Sequence, residues 1–199
     1  MLETREHILI TAFTLFMEKG YKSVTMSDLE KETGLTKGAF YHYFKSKEEI
    51  FIEVIDKYHL KNRNHILTEY EKNCSFSEFI DYQIKDISNK IVRMKKLANI
   101  ESPDPFFISL MMDARKYYPD YIEKVKVMSQ NFKQKWQNKI ISEQKKGELK
   151  QDIDPDATAE ILITLGMSMF KYLMINETPE HALEILARQF SQVYNLIKK

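Results

Sequence analysis

The sequence predicts an all-α protein, and three observations carry that expectation. Apolar residues recur at steps of three and four along most of the 199-residue chain. No stretch alternates convincingly as a strand. With only 5 glycines and 5 prolines, the chain is poor in the turn-forming residues that a β-rich fold uses. About nine helices are expected, and a chain of this length could hold one or two domains.

The first elements are marked by caps. Gly20 sits where an opening helix should stop. Thr25 is a good N-cap, and Asp28 three residues on completes a capping-box pattern. Leu29 points into the small core. Gly34 fits a left-handed turn, where a Cβ would clash, and Leu35 then closes the core. Thr36 caps a second short helix, with Phe40 and Phe44 as buried anchors and Lys37, Gly38, Ala39, Tyr41 and His42 facing outward. Ser46 with Glu49 predicts another capping box, so a helix begins at Lys47; Phe51, Val54, Ile55 and Tyr58 carry its period past Tyr58.

Further on, Phe76, Ile80, Ile84, Ile87, Ile91 and Met94 define one helix face, and Val125, Met128, Phe132, Trp136 and Ile140 another. Ala182, Leu186, Phe190, Val193 and Ile197 define the last. Pro105, Pro155 and Pro179 each follow Asp or Thr, the arrangement of an N-cap before proline at the first helical position. Pro119 opens a helix after Tyr118, Pro103 stiffens a loop, and Gly147 ends a helix.

The stretch from Thr25 to Lys47 is thus two short helices around a tight turn, a form that presents an exposed helix to the major groove of DNA. Lys37, Gly38 and Ala39 would face base edges: lysine donates to guanine, and small neighbours admit close approach. Thr25, Thr36, Tyr41, His42 and Lys47 would grip phosphates, which sets register without reading sequence. Charge adds no support. The net charge is +1, and the first fifty residues hold seven basic against eight acidic side chains, a balance of −1. Binding must therefore come from placement.

The segment up to about Val54 resembles the N-terminal domain of the TetR family of bacterial transcriptional regulators. The resemblance rests on Ile8, Ala12 and Phe16, Gly20-Tyr21, Val24-Thr25, Gly34 to Gly38, Phe40-Tyr41, Phe44 and Ser46-Lys47-Glu48. It departs where Leu29-Glu30 replaces a frequent Ile-Ala pair and where Tyr43 follows His42. It implies a helix-turn-helix DNA-binding domain over residues 1–48 and an effector-binding and dimerisation domain over residues 49–199. It also implies a repressor that a small hydrophobic or amphipathic effector releases from an inverted-repeat operator. On that resemblance, Met111, Phe132, Trp136, Met167 and Phe170 are the candidate pocket residues among the methionines and aromatics of the C-terminal part.

Residues Ala157 to Ile175 are apolar nearly all round, so this helix must be buried on more than one side. A symmetric dimer built as a four-helix bundle, two copies of this helix and the last one, accounts for it. Ile161, Leu165, Met169, Leu186, Phe190 and Val193 are the interface candidates.

Other classes find little support. Cys74 is the single cysteine, excluding an internal disulfide, and none of the five histidines pairs at metal-site spacing. No phosphate-cradling glycine loop or nucleophile elbow occurs, so neither enzyme, metal nor cofactor is expected. Asp113, within an apolar stretch, is read as a solvated helix turn or a partner for a cationic ligand. No apolar run is long enough for a membrane span, and a cytoplasmic protein is the default expectation. The alternative function is an effector-independent architectural or chromosome-organising DNA-binding protein.

Overall fold

The computed structural model describes residues 2–60, 67–98, 104–175 and 178–199. Among them it places ten α-helices, a π-helical segment and no strand, apart from a single bridge between Leu149 and Lys198. The helices are α1 (Leu2–Lys19), α2 (Met26–Thr33), α3 (Lys37–Tyr43), α4 (Lys47–Ile55), α5 (Glu69–Asn73), α6 (Phe76–Ala98), α7 (Asp104–Tyr117), α8 (Tyr121–Lys146), α9 (Pro155–Met174) and α10 (Pro179–Ile197). Helix α4 does continue past Tyr58, but through a π-helical turn at Asp56–Leu60. Side chains of Pro105 and Phe170, and all of Pro103, lie outside the described set.

Glycine and proline act as read from the chain. Gly20, Gly34 and Gly147 end α1, α2 and α8 at φ of 74°, 67° and 80°, the left-handed region in which a Cβ is strained. Thr178 caps α10 with Pro179 next, where the missing N–H costs nothing. Pro119 stands two residues earlier than the start of α8, in the turn before it.

The chain divides into two compact units. The first comprises Met1–Asn62 and Arg93–Val125. Its core joins Ile8, Phe13 and Phe16 of α1, Leu29 of α2, Phe40 and Phe44 at α3, and Phe51 and Val54 of α4 to Leu110 and Ala114 of α7. Phe16, Tyr21 and Phe51 pack ring on ring, with centroids 4.3–5.7 Å apart. This division does not follow the boundary after residue 48, because α4 and α7 both close the core under α1. The second unit comprises Arg63–Val92 and Lys126–Lys199. Its core gathers Phe76 and Phe79, Trp136 and Ile140, Leu162 and Met169, and Leu186 and Phe190. Helix α9 packs against α10. No helix among the described residues is long and apolar enough to cross a membrane.

Candidate DNA-binding surface

Successive caps fix where each helix of this region starts. Thr25 Oγ1 accepts from the Asp28 N–H at 3.1 Å, and the Asp28 carboxylate accepts from the Thr25 N–H at 2.8 Å, the full capping box. Those bonds from Thr25 hold the Asp28 carboxyl below its ordinary value. Thr36 Oγ1 accepts from the Ala39 N–H at 3.4 Å, a long and weaker bond. Ser46 Oγ accepts from the Glu49 N–H at 3.1 Å, but the Glu49 carboxylate turns to the Lys45 N–H at 2.8 Å. The second box is therefore half made: the Glu49 carboxylate accepts from the backbone of Lys45 and not from that of Ser46.

Between these caps α3 shows two faces. Phe40, and Phe44 just after the helix, are fully buried and bolt it to the core. Thr36, Lys37, Gly38, Ala39 and His42 are exposed, and the helix carries no acidic residue. Gly38 has no positive φ, and a Cβ built there would meet nothing within 4 Å. The fold does not demand glycine at this position.

Tyr41 and Lys47 have duties inside the protein. Tyr41 is half-buried against the core, and its carbonyl accepts from the Lys45 ammonium at 2.5 Å. The Lys47 ammonium donates to the carbonyls of Tyr21 at 2.8 Å and Val24 at 2.5 Å, and lies 4.4 Å from the Tyr21 ring centre. Burial there pushes its pKa down. Two of its three N–H donors hold the turn before α2, leaving one for a phosphate.

Part of the acidic charge near the N-terminus is engaged within the protein. Glu6 pairs with Lys57, and Glu53 with Arg5, while Asp28 and Glu49 sit on backbone N–H groups. Asp28 and Glu49 are thus engaged on backbone N–H groups and Glu6 in an ion pair on α1, while α3 itself carries no carboxylate. Glu48, Glu49, Glu53 and Asp56, with Ser46 and Ile52, line an open groove of about 490 Å³ along α4. Its acidic lining differs from the apolar pocket expected in the C-terminal part.

Asp113 is half-buried, and its carboxylate is engaged within the protein. Its carboxylate accepts from the Tyr21 N–H at 2.7 Å, tying α7 to the turn that leads into α2. Tyr117, one turn on, stacks on Tyr21 at 4.8 Å. An Asp in an apolar stretch was the available signal; its partner, far away in sequence, was not.

The pocket candidates fall in both units. Phe132 and Trp136 meet in the second unit with ring centres 6.4 Å apart, Trp136 fully buried and Phe132 half-buried. Met167 is 63% exposed, Met111 belongs to the first unit, and the Phe170 side chain lies outside the described residues. The interface candidates need correction as well. Met169, Leu186 and Phe190 are buried in the core of their own unit, so they have little area left for a partner. Leu165 and Val193 pack half-buried on that core, while Ile161 is 52% exposed. Met167, also on α9, is exposed like Ile161.

Residues 8–54 match the sequence model described as bacterial regulatory proteins, tetR family. This N-terminal segment is a TetR-type helix-turn-helix domain by sequence. One relative is the HTH-type transcriptional regulator YuxN of Bacillus subtilis, 31% identical over 104 residues that cover 43% of this chain and 36% of YuxN. The HTH-type transcriptional repressor NemR of Escherichia coli is 37% identical over 57 residues, 29% of each chain. These matches span about a third of the relatives' lengths. In structure the likeness is complete: reduced NemR superposes with a TM-score of 0.69 at 21% identity, covering 98% of this chain and 97% of NemR. The SmeT–triclosan complex gives 0.67 at 19% identity, covering 99% and 92%. The likeness in fold therefore extends over both units, whereas the family model matches only residues 8–54.

Proposed function

We propose that this protein is a homodimeric transcriptional repressor that reads an inverted-repeat operator and releases it when a small hydrophobic or amphipathic effector binds. The observation that carries the reading is α3: exposed, free of carboxylates, and anchored from behind by Phe40 and Phe44. Residues 1–48 are the DNA-binding part. Lys37, Gly38 and Ala39 address base edges, and Thr25, Thr36, Tyr41, His42 and the remaining donor of Lys47 address phosphates. Residues 49–199 supply dimerisation, through the exposed stripe of α9 beside α10, and effector binding. Two-fold symmetry puts the two recognition helices about 34–36 Å apart, or a multiple of that. NemR, named a repressor, and SmeT, solved with triclosan, support repression and a small apolar effector. The effector acts by favouring, by a few kcal/mol, a state whose helix spacing no longer fits the groove.

A second reading, an architectural DNA-binding protein without an effector, is favoured by the filled aromatic core around Trp136. Selection of random duplex DNA against the purified protein, at fixed salt near ~150 mM, separates the two. An enriched inverted repeat supports the repressor; binding without an enriched motif supports the architectural protein; no binding refutes both.

A further inference from the structure

The turn between α1 and α2 is held by side chains from two other helices of the first unit. Gly20 closes α1 in the left-handed region, its N–H donating to the Phe16 carbonyl at 3.0 Å. Many such endings turn the next N–H back onto the helix as well. Here that N–H, of Tyr21, donates instead to the Asp113 carboxylate at 2.7 Å, 92 positions along the chain. Gly20 leaves room for this approach, since a Cβ there would stand 3.4 Å from the same carboxylate oxygen. Asp113 belongs to α7, outside residues 8–54 that the family model matches.

Two of the phosphate-gripping residues depend on this turn. It leads directly into Thr25, the N-cap of α2. Its Tyr21 and Val24 carbonyls accept from the Lys47 ammonium and so set where the remaining N–H of that group points. Tyr21 is thus gripped at both ends, its N–H by α7 and its C=O by α4. Its ring repeats the arrangement, 4.8 Å from Tyr117 of α7 and 4.3 Å from Phe51 of α4, with the Lys47 ammonium 4.4 Å from its centre. Burial pushes the pKa of Lys47 down, and Tyr117 and the Asp113 charge oppose that. Helix α3 has separate supports: its own cap Thr36, and Phe40 and Phe44 in the core.

We propose that Asp113 is a positioning residue for DNA binding: by holding the Tyr21 N–H it fixes the turn through which Lys47 and Thr25 reach phosphate, and it leaves base reading by α3 untouched. This rests on the DNA-binding reading and adds to it a residue from α7.

The test titrates a fluorescent duplex, of the sequence enriched by selection on the unaltered protein, with that protein, Asp113→Ala and Asp113→Asn. Titrations run over a series of salt concentrations, well below the Tm of each protein. Asp113→Ala should bind about tenfold more weakly at ~150 mM salt. Its plot of log K against log salt should be shallower by about 0.9, the value of one ammonium–phosphate contact. The preferred sequence should stay the same. Asp113→Asn, which keeps an oxygen acceptor, should restore both affinity and slope. An alanine variant that melts lower but keeps affinity and slope would overturn the inference, because the carboxylate would then serve folding alone. So would an asparagine variant as weak as alanine. If Asp113→Ala does not fold, the Tyr21 amide proton of the unaltered protein decides. Donation to a carboxylate is a strong bond that places this proton downfield, and a positioning bond keeps it there on the duplex; an upfield move on binding would overturn the inference. An unaltered protein that binds no duplex refutes the DNA-binding reading and this inference with it. Specific binding that Asp113→Ala leaves unchanged refutes this inference alone.

Discussion

Replacing Gly38 with alanine separates folding from DNA recognition at a single methyl group. Gly38 is exposed in the first turn of α3, outside the positive-φ region, and a Cβ there meets no atom of the protein within 4 Å. The substitution therefore removes backbone freedom from the unfolded chain without a clash, a gain of about 0.4–1 kcal/mol. In a chain of this size that raises Tm by about 1–4 °C. At the DNA surface the same methyl enters space that a base edge must occupy. Overpacking by a methyl costs about 1–3 kcal/mol, so affinity should fall roughly 5- to 150-fold. Fluorescence anisotropy with the selected operator at fixed salt reads the affinity, and calorimetry reads Tm. A rise in Tm with unchanged affinity would refute the placement of Gly38 against bases. A fall in Tm would refute the geometry of α3 itself.

Lys37→Ala should change which base is preferred in each half-site, whereas a uniform loss across operator variants would remove its base-reading role. Lys47→Ala should weaken binding to every sequence and also lower stability by about 1.5–3 kcal/mol, since its ammonium holds two backbone carbonyls; urea unfolding with full stability would contradict this. The buried Glu71 is desolvated, which alone would raise its pKa, but Lys135 and Thr68 bring it below the ordinary 4.5. Its contribution is thus present above that value and disappears as pH falls through the lowered pKa. Glu71→Gln should cost about 3–5 kcal/mol near neutral pH by leaving Lys135 unpaired, and should flatten the acid limb of the stability profile. Ile161→Glu should shift the protein to monomer in analytical ultracentrifugation with its fold intact, while Phe190→Ala should cost about 3–5 kcal/mol of folding stability; a well-folded monomer from Phe190→Ala would reverse the two assignments.

Local chemistry made the N-terminal half readable. The Thr25–Asp28 box, the left-handed Gly34 and the anchors Phe40 and Phe44 involve neighbours a few residues apart, where spacing alone specifies geometry. Competition for a carboxylate was not readable: the N–H groups of Lys45 and Ser46 both lie between α3 and α4, and spacing alone does not say which one Glu49 takes. Periodicity shows that a helix has an apolar face without showing what covers it. Met169, Leu186 and Phe190 therefore looked equally suited to an interface and to the core that contains them. Trp136 posed the same ambiguity, and the four rings around its buried indole place it in the core.

The bond from Asp113 to the Tyr21 N–H has a consequence for synthesis on the ribosome. Residues of α7 complete the core beneath α1 and α4, so the first unit cannot close when its first 62 residues emerge. At ~5–20 residues per second the chain waits roughly 3–12 s for residues 93–125. During that interval Phe13, Phe16 and Phe51 lack the covering side chains of Leu110 and Ala114. A nascent chain stalled near residue 62 should accordingly be protease-sensitive and bind chaperones, and one stalled with residue 125 clear of the exit tunnel should resist both.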